Sequence, residues 1–452
     1  MKYKYNYYRK LVQDTLFFII PKGASILYIG FNDAFHLYKL KPSKGVGVEV
    51  DKEKIILAKN KYPLMSFFYV DDFSQYKPTS KFDYVVLSGA LGKTKNIVGL
   101  LKNIQKACHP GTRIVIYQHN YLWQGILNIA EKFNLKRVEG VQNWISVDDV
   151  SDYLNGSGFE ITRVIKRTIL PLKLGFIGPL INLISVIIPI FDFFKLDQYL
   201  IARPSITVCK QSSLTSLTIC ITVRNEKGNI ESIVKKIPII TEKQEILFVE
   251  GHSVDGTREE IERVIKKYPN KNVRVIGQPG KGQGDAIKIG YKEASGDIII
   301  LYEGDGTSNP EDLKYFYEAA SEGRYEFIEG TRFVYSLNKK TMPILKQIGN
   351  IILAKWFSFV LGQRSTDVLS GIKVTLKRDY NLIYQRWGFL GFNDPFGDFE
   401  LLYGSARLGL KIGEIPMRYY PRVYGNSHSK ILKHGFYLIK MALKGYFTFR
   451  SS

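Results

Sequence analysis

A cluster of carboxylates follows an apolar run in the middle of the chain. Residues 301–313 read LYEGDGTSNPEDL, with four acidic residues in thirteen positions, directly after the apolar residues III. Glu303 and Asp305 are two positions apart, so both carboxylates face the same way in an extended chain. Oxygen ligands of this kind suit Mg²⁺ or Mn²⁺, and such a metal would neutralise a diphosphate. The pattern therefore predicts a metal site at Asp305 and Glu303.

A second interpretation covers part of the same stretch. SNPEDL has the form of a helix start, with Ser308 or Asn309 as the N-cap and Pro310 in the first turn. Helix capping would account for Glu311 and Asp312. It does not account for the two acids at the end of the apolar run.

The elements around this stretch predict the sheet that positions the acids. Strand-like segments alternate with helix-like ones, which is typical of a doubly wound parallel sheet. The strand-like segments are LTICITV, EILFVEG, NVRVIGQ and GDIIILYEGD, and the helix-like ones are NIESIVKKI, TREEIERVIKKY and GDAIKIGYKEA. Ligands of open parallel sheets bind at the carboxyl ends of the strands, where the two acids are expected.

The first half of the chain shows the same alternation with a different sequence. Its strand-like segments are ASILYIG, KGVGVEV, MSFFYVDDF, FDYVVLSGA, TRIVIYQ and a closing QYLIARPSITVCK, with helical patterns such as KEKIILAKNKY and KNIVGLLKNIQKACH between some of them. A polar stretch, QSSLTS, follows. We therefore predict two α/β domains, residues 1–210 and 217–452, joined by a linker at 211–216.

Composition restricts the class of protein. Of 452 residues, 45% are hydrophobic, which suffices for full cores and excludes a disordered chain. The net charge of +22 favours an anionic partner, namely nucleic acid, anionic lipid or a phosphorylated substrate, although a general lysine bias is the alternative. Three cysteines without CxxC spacing argue against a disulfide framework or a zinc site and fit a reducing compartment. The N-terminus is not typical of a signal peptide and predicts an amphipathic helix.

Two apolar segments indicate a lipid surface. Leu174–Phe191 carries no charge over 18 residues, which is the lower limit for a transmembrane helix. Pro179, Pro189 and Asn182 favour a surface patch that faces a membrane or a partner over a span. Near the C-terminus, KILKHGFYLIKMALKGYFTFR interleaves lysines with apolar residues in the manner of an interfacial helix; the lysines are Lys430, Lys433, Lys440 and Lys444.

Seven motifs in order carry a family resemblance. They are TVRNE, VEGHSVDGT, GKGQGDA, EGDGT, GTR (330–332), DVLSG (367–371) and RVYGNSHSK (422–430). In this order, over about residues 216–430, they resemble the family-two inverting glycosyltransferases of the GT-A fold, the dolichol-phosphate mannose synthase type in particular.

The resemblance implies a set of donor-site residues. The nucleotide-sugar-binding residues would be Arg224, Glu226, Glu250, Asp255, Lys281, Asp285, Arg332, Arg422 and Lys430. Glu250 and Gly251 stand where the family has two aspartates. Glu303 replaces the first acid of the aspartate-x-aspartate pair and Asp305 keeps the second, so the resemblance places the metal chiefly on Asp305. The four basic residues after Asp255 would meet a diphosphate or a lipid phosphate.

The resemblance also implies an acceptor-side acid, Asp398, with Glu400 as a second candidate and Asp394 behind it. A sugar hydroxyl acceptor needs a general base, whereas a lipid phosphate is already an anion and needs none. Asp398 would be a base or would only position the acceptor, and helix N-capping is the alternative. The histidines of this half, His252, His428 and His434, form no metal-binding pattern, although His252 could contact the nucleotide.

The first half, about residues 5–210, resembles class I S-adenosylmethionine-dependent methyltransferases. The motifs are VGVEVDKEKIILAKN, FFYVDDFSQY, FDYVVLSGALG, CHPGTRIVI and QNWISVDDVSDYLNGSGFE. The resemblance implies cofactor contacts from Gly30, Glu49 and Asp71. The sequence departs from the family where glycines or polar residues are usual, at Tyr28, Asn32, Ala34 and Gly89. An active methyltransferase domain and a degenerate domain kept as scaffold, membrane dock or regulator both remain open.

Together these features predict a fusion of a Rossmann-like methyltransferase fold and a GT-A fold. The expected activity is inverting transfer of a sugar from a nucleotide-diphosphate donor, with Mg²⁺ or Mn²⁺, to a lipid-linked or polyprenyl-phosphate acceptor. The expected location is cytoplasmic, peripheral on an anionic membrane surface. The rival is a non-catalytic nucleotide- or lipid-binding scaffold with decayed sites. A nucleic-acid-modifying methyltransferase is disfavoured, since no arginine-aromatic binding module is present, and no nucleic acid partner is expected.

Overall fold

A computed structural model describes residues 2–133, 143–207, 214–335, 342–391, 394–425 and 431–451, with the backbone alone for 2–6 and 431–434. The chain forms two compact units, residues 1–210 with 449–452, and residues 211–448. Of the predicted linker, residues 211–213 lie outside the described residues, and Ser216 already begins a strand.

The first unit is built on a seven-stranded sheet. Its strands are β1 (Ile26–Ile29), β2 (Gly45–Glu49), β3 (Ser66–Tyr69), β4 (Tyr84–Ser88), β5 (Arg113–His119), β6 (Phe159–Arg167) and β7 (Asp197–Pro204). Its helices are α1 (Lys2–Ile19), α2 (Phe35–Lys39), α3 (Lys52–Lys61), α4 (Ala90–Lys93), α5 (Ile97–Gln105), α6 (Gln124–Lys132), α7 (Val147–Gly156) and α8 (Ile177–Ile187). The spatial order is β3-β2-β1-β4-β5-β7-β6, with β7 antiparallel to both neighbours.

The second unit carries another seven-stranded sheet. Its strands are β8 (Ser216–Val223), β9 (Lys243–Glu250), β10 (Val273–Gly277), β11 (Ile298–Glu303), β12 (Phe327–Thr331), β13 (Lys373–Leu376) and β14 (Ile412–Pro416). Its helices are α9 (Lys227–Lys236), α10 (Thr257–Lys267), α11 (Gln283–Glu293), α12 (Leu313–Ser321), α13 (Ile344–Leu361), α14 (Lys377–Tyr384), α15 (Asp398–Arg407) and α16 (Ile431–Ser451). The order is β10-β9-β8-β11-β13-β12-β14, with β13 antiparallel to β11 and β12.

Both sheets reverse their strand order beside their first strand, β1 or β8, and this confirms the predicted pair of doubly wound α/β folds. The predicted strands and helices correspond to observed ones. The apolar runs of central strands such as β1 and β8 are buried, whereas the edge strands β3 and β10 are more exposed. In β11, for example, Ile298 to Tyr302 are all buried. The reversal in the second unit lies between β8 and β11, so the ends of these two strands border the crevice where ligands of such sheets bind.

The helix-capping interpretation of SNPEDL holds in part. The Asn309 side chain accepts a hydrogen bond from the Glu311 amide and caps a 3₁₀ turn over Pro310–Asp312. Asp312 has a further role, because its carboxylate accepts hydrogen bonds from the Arg418 amide (3.0 Å) and guanidinium (2.9 Å). The acidic loop is thereby tied to the segment that carries the later basic motif.

The two apolar segments differ in structure. Residues 431–450 of the C-terminal segment lie within one long helix, α16, as predicted, whereas the other segment is divided into shorter elements. Leu174–Phe191 contains α8, an eleven-residue helix shorter than a membrane span requires, and then a 3₁₀ turn over Pro189–Phe193. Among the described helices, α13 alone combines the length and the apolar composition of a membrane span, and 28% of it is buried.

Candidate functional site

Glu303, the last residue of β11, is half-buried in the second unit. Its carboxylate accepts a hydrogen bond from Gln283 Nε2 at 2.9 Å. Gly371, in the DVLSG motif, lies so close that a Cβ there would be 2.3 Å from Glu303 Oε2. Burial raises the pKa of Glu303, and the negative charge of Asp305 raises it further. The two acids therefore share one electrostatic environment, as their spacing predicts.

Asp305 is held by its own loop and by one arginine. Its Oδ1 accepts hydrogen bonds from the Thr307 amide (3.0 Å) and hydroxyl (2.7 Å). Its Oδ2 accepts one from Arg422 at 3.1 Å, and Arg422 also donates to Glu226 Oε1 at 2.6 Å. Arg422 thus bridges the acid after β8 and the acid after β11, which joins three of the sequence motifs at one point.

The loops after β8 and β9 are bound to each other. Asn225, which has a φ of 57°, accepts a hydrogen bond from the Val254 amide, and Asp255 accepts bonds from the Lys227 amide and the Tyr424 hydroxyl. Glu250 closes the second loop on itself, because its Oε1 accepts from the Ser253 amide at 2.6 Å. These acids shape the crevice through the backbone.

The replacement of an aspartate by Gly251 suits its surroundings. A Cβ at this position would lie 3.1 Å from Gln278 Oε1 and 3.2 Å from the Val223 carbonyl. Asp285 has a similar backbone role, since it accepts a hydrogen bond from the Gly280 amide at 2.7 Å. His252 Nε2 lies 3.0 Å from the Gly280 carbonyl oxygen, and so links the second-strand loop to the glycine-rich segment.

The basic residues that the motifs single out take different positions. Arg224 and Lys281 are exposed. Arg332 is buried and forms a bidentate pair with Asp367, at 2.6 and 2.7 Å, and Asp367 also accepts from Asn350. The charge of Arg332 is therefore largely taken up by the DVLSG aspartate. Lys430 and His428 lie outside the described residues, as does the side chain of His434.

A buried charge cluster behind the acids was not predicted. Lys373, on β13, is fully buried and lies 2.8 Å from Glu329 on β12, its cross-strand partner. Burial would lower the pKa of Lys373, but Glu329 and then Asp398 raise it above its usual value. The sequence signal is a charged residue inside each of two short apolar strands. A single charge in an apolar strand does not reveal its partner.

The acids at the start of α15 are held below the surface. Asp394 accepts hydrogen bonds from the amides of Phe396, Phe399 and Glu400, so it caps the helix. Asp398 is buried, and burial raises its pKa well above the usual value although Lys373 opposes the shift. Burial raises the pKa of Glu400 to about 7. The capping alternative therefore applies to Asp394.

The donor set fits a divalent cation that is bound mainly by its substrate. Within the described residues, no group of three or more His, Cys, Asp or Glu side chains is placed to hold a metal ion. Mg²⁺ commonly uses one or two carboxylates, water and substrate phosphates, so the pair Glu303 and Asp305 suffices. A cation here would also relieve the repulsion that raises the pKa of Glu303.

Two of the three candidate cofactor residues of the first unit, Gly30 and Glu49, face the protein's own backbone. Gly30, with a φ of 80°, approaches β4 so closely that a Cβ would lie 2.4 Å from the Ser88 carbonyl oxygen. Glu49 is buried, and its two oxygens accept the amides of Phe31 (2.7 Å) and Val50 (3.0 Å). Asp71 is exposed and accepts from the Tyr69 hydroxyl.

The loop after β1 reinforces this closed arrangement. Phe31 is buried, its ring packs edge-on against Phe67, and a Cβ at Gly47 would contact both rings. Ala34 takes a left-handed conformation, with a φ of 54°. As arranged, these residues do not fit S-adenosylmethionine, because Glu49 is buried under the loop after β1 and a ribose could reach it only if that loop moved.

Family models match both units. Residues 218–387 match glycosyl transferase family 2, and residues 3–164 match a methyltransferase domain. With the two α/β sheets, these matches confirm the motif-based prediction. One part of the chain thus matches a methyltransferase domain, and a later part matches glycosyl transferase family 2.

Three curated proteins are similar to part of the chain. Glycosyltransferase AglJ of Haloferax volcanii is 30% identical over 186 residues, which is 40% of this chain and 55% of that protein. The dolichyl-phosphate hexose transferase of the same organism is 27% identical and matches 44% of this chain and 80% of its own length. The dolichol-phosphate mannosyltransferase of Pyrococcus furiosus is 28% identical over 29% of this chain and 37% of its own. The chain thus spans about half of the first of these relatives.

Solved structures are similar to each half at low identity. A glucosyl-3-phosphoglycerate synthase from Mycobacterium tuberculosis, in complex with Mn²⁺, uridine diphosphate and glucosyl-3-phosphoglycerate, is 16% identical with a TM-score of 0.37, covering 51% of this chain and 80% of its own. An S-adenosylmethionine-dependent methyltransferase from Mesorhizobium loti is 15% identical with a TM-score of 0.32, covering 40% of this chain and 91% of its own.

The buried cluster predicts a large loss of stability for Lys373→Met. The substitution leaves Glu329 with a buried, uncompensated charge, at a cost of about 3–5 kcal/mol in the free energy of unfolding. The double variant Lys373→Met/Glu329→Gln should recover most of it. Urea unfolding measures both, with Lys266→Met, an exposed lysine on α10, as the control. A single variant within 1 kcal/mol of the wild type would contradict the role of the pair.

Glu400 predicts a dependence of stability on pH. Its folded-state pKa of about 7 lies above an unfolded value of about 4.3, so the folded state binds the extra proton between these values. The contribution of Glu400 to stability is therefore greatest below about pH 4.3 and falls by roughly 3 kcal/mol as the pH rises to 7. Relative to wild type, Glu400→Gln should remove this slope, measured by urea unfolding from pH 5 to 8. The exposed Glu318→Gln should keep it.

Proposed function

We propose that the second unit transfers a sugar, with inversion, from a nucleotide-diphosphate donor to a polyprenyl-phosphate type of lipid acceptor. The observation that carries the proposal is the junction of Glu226, Asp305 and Arg422 beside the half-buried Glu303, at the carboxyl ends of β8 and β11. Acidic side chains, a basic side chain and the ends of two strands meet there, which is the arrangement that the family resemblance implies. The relatives named for dolichyl-phosphate and dolichol-phosphate transfer support the choice of acceptor.

The donor diphosphate would bind on the metal side of this junction. Asp305 and Glu303 would hold Mg²⁺ or Mn²⁺, which when bound neutralises the diphosphate and stabilises it as the leaving group. Arg422 lies 3.1 Å from Asp305, so its guanidinium is close enough to contact the same phosphates. The exposed Arg224 and Lys281 border the crevice and are proposed to bind the nucleotide, together with Glu226.

The acceptor side would be formed by the start of α15. A phosphate acceptor carries its own negative charge and needs no base. The burial of Asp398 disfavours the ionised form that a base requires. We therefore assign Asp398 the positioning of the acceptor, with Lys373 behind it to supply the compensating charge.

A lipid acceptor requires access to a membrane surface, and each unit offers suitable faces. In the second unit, α13 exposes Ile344, Leu345 and Ile352, and α16 exposes Phe436 and Ile439. These two helices contact each other through Trp356, whose Nε1 donates to the Ala442 carbonyl. With a net charge of +22, such faces favour peripheral binding to an anionic leaflet.

No methyl transfer is part of this proposal. In this structure Glu49 is buried, and Phe31 packs in the loop that covers it, so the carboxylate that would hold the cofactor ribose is not accessible. The family match of this unit therefore describes its fold, and its role in the proposal is structural.

The metal role predicts loss of donor binding in Asp305→Asn. In a thermal-shift panel of UDP-, GDP- and dTDP-sugars, wild type should show a Mn²⁺-dependent rise in melting temperature with one nucleotide family, because a ligand that binds only the folded state stabilises it. Asp305→Asn should lose this rise. Glu311→Gln, in the same loop, should keep it. A wild type without any metal-dependent shift would favour the non-catalytic scaffold.

The acceptor assignment predicts a mild effect for Asp398→Asn. With the donor found in that panel and a polyprenyl phosphate as acceptor, kcat should fall less than about 10-fold, since no proton has to be removed. A general base at this position would make the loss about 10²–10⁴-fold. A loss of that size, in a variant with an unchanged melting temperature, would contradict the phosphate acceptor and indicate a hydroxyl acceptor.

A further inference from the structure

An apolar cavity lies beside α8 in the first unit. Its volume is about 430 Å³, and its lining consists of Ile169, Ile181, Ile184, Phe191 and Phe194. Sites for small ligands span roughly 300–1,000 Å³, so this cavity is large enough for one. Every lining side chain is a hydrocarbon, which offers no hydrogen bond to water or to a polar ligand. The chemistry of the lining selects a hydrocarbon occupant.

Two cations stand next to this lining in sequence and in space. Lys195 follows Phe194 and binds Asp192 at 2.7 Å, and Asp192 follows Phe191. Arg450 donates two hydrogen bonds of 2.7 Å to the same carboxylate and a third, of 2.8 Å, to the Val186 carbonyl. Asp192 is 30% exposed on its side chain, so solvent reaches the point where the two cations meet.

Two more arginines converge on the same place. Arg167 donates to the Phe449 carbonyl at 2.6 Å, and the Arg163 guanidinium lies 4.4 Å from the centre of the Phe449 ring. Burial, together with the charges of Arg450 and Arg167, lowers the pKa of Lys195 to about 8. Burial and Arg450 likewise lower the pKa of Arg167 to about 10. These shifts mark positive charges near enough to repel one another, which a bound anion would relieve.

We infer that the first unit binds a lipid phosphate, with one hydrocarbon chain in the cavity and the phosphate at Lys195 and Arg450. The apolar lining by itself would not select an anion, and the cations by themselves would not select a hydrocarbon. Together they match an amphiphilic anion. A cavity lined by five side chains accommodates part of one chain, which favours a polyprenyl phosphate over a two-chain phospholipid. The phosphate would compete with Asp192 for its two partners. The identity of the lipid as the acceptor class rests on the proposed function.

The binding of the hydrocarbon chain is tested by filling the cavity. Farnesyl phosphate is titrated into the full-length protein by calorimetry, and binding to wild type is expected. Ile181→Trp, which places an indole in the cavity, should bind at least 10-fold more weakly. Leu180→Trp, an exposed neighbour on the same helix outside the lining, should bind as wild type does. Equal affinity of Ile181→Trp and wild type would overturn the assignment.

The phosphate half is tested by changing the ligand. Farnesol should bind at least 10-fold more weakly than farnesyl phosphate, and inorganic phosphate alone should not bind measurably. Equal binding of farnesol would show that the cations do not contribute to binding, and would overturn the phosphate assignment. Binding to phosphatidylglycerol vesicles without binding to farnesyl phosphate would identify a membrane-contacting face in place of a lipid pocket, and would overturn the inference.

The fluorescence of Trp123 provides a second test if Ile181→Trp does not fold. Trp123 Nε1 donates to the Phe194 carbonyl at 2.8 Å, so its ring lies at the lining. A brominated alkyl phosphate should quench part of the wild-type tryptophan fluorescence, and Trp123→Phe should lose that part. Quenching that is unchanged in Trp123→Phe would overturn the site.

Donor binding separates this inference from the proposed function. The Mn²⁺-dependent nucleotide shift arises in the second unit, so Ile181→Trp should keep it while it loses farnesyl phosphate. If wild type binds farnesyl phosphate in the cavity but shows no nucleotide shift, the lipid site stands and the glycosyl transfer fails. If the nucleotide shift is present and farnesyl phosphate does not bind, the reverse holds.

Discussion

The partial burial of the Glu303 carboxylate beside a second acid is the constraint on which the site of the second unit depends. A buried carboxylate is costly unless it is bonded or its charge is compensated, and here a second acid, Asp305, raises the cost. Three side chains offset this cost. Gln283 donates a hydrogen bond to Glu303, Arg422 binds the neighbouring Asp305, and Lys373 in the sheet supplies a positive charge. These compensations are partial, and the proposed cation would complete them.

The same constraint explains why the motifs are distributed over the chain. Arg422 reaches Asp305 only because the segment before it is anchored, through Arg418, to Asp312 in the acidic loop. Gly371 gives room to the Glu303 carboxylate, which would have to move if a Cβ were added there. Each motif thus supplies either a charge, the partner of a charge or the room that a charge requires. Such mutual dependence is what makes seven weak motifs, read in order, a strong indication of family.

The two units have the same kind of sheet but use its edge differently. In the second unit the acids at the strand ends are held by side chains and loops that a ligand can exchange. In the first unit Glu49 is bonded by the backbone of its own loop, and Phe31 packs where that loop turns. The unusual chemistry of the first unit lies elsewhere, where Asp192 accepts from both Lys195 and Arg450 beside an apolar cavity. A fold that resembles an enzyme family therefore need not keep that family's site.

The sequence by itself determined the two α/β layouts, the strands β8 to β11 and the acid pair Glu303 and Asp305. These follow from local patterns, namely apolar runs, turn residues and the spacing of two carboxylates. The N-terminal and C-terminal helices were predicted for the same reason. The short strands β12 to β14 were not, since charged residues such as Glu329 and Lys373 interrupt their apolar pattern.

Only the tertiary structure decided which charges pair. The bonds from Arg422 to Glu226 and from Arg450 to Asp192 join residues 196 and 258 positions apart, and no local signal marks them. It also separated Arg332, which is bound by Asp367, from the basic residues at the crevice, although all stand in motif positions. The physical reason is that the energy of a charge depends on its burial and its neighbours, and folding brings both from distant parts of the chain.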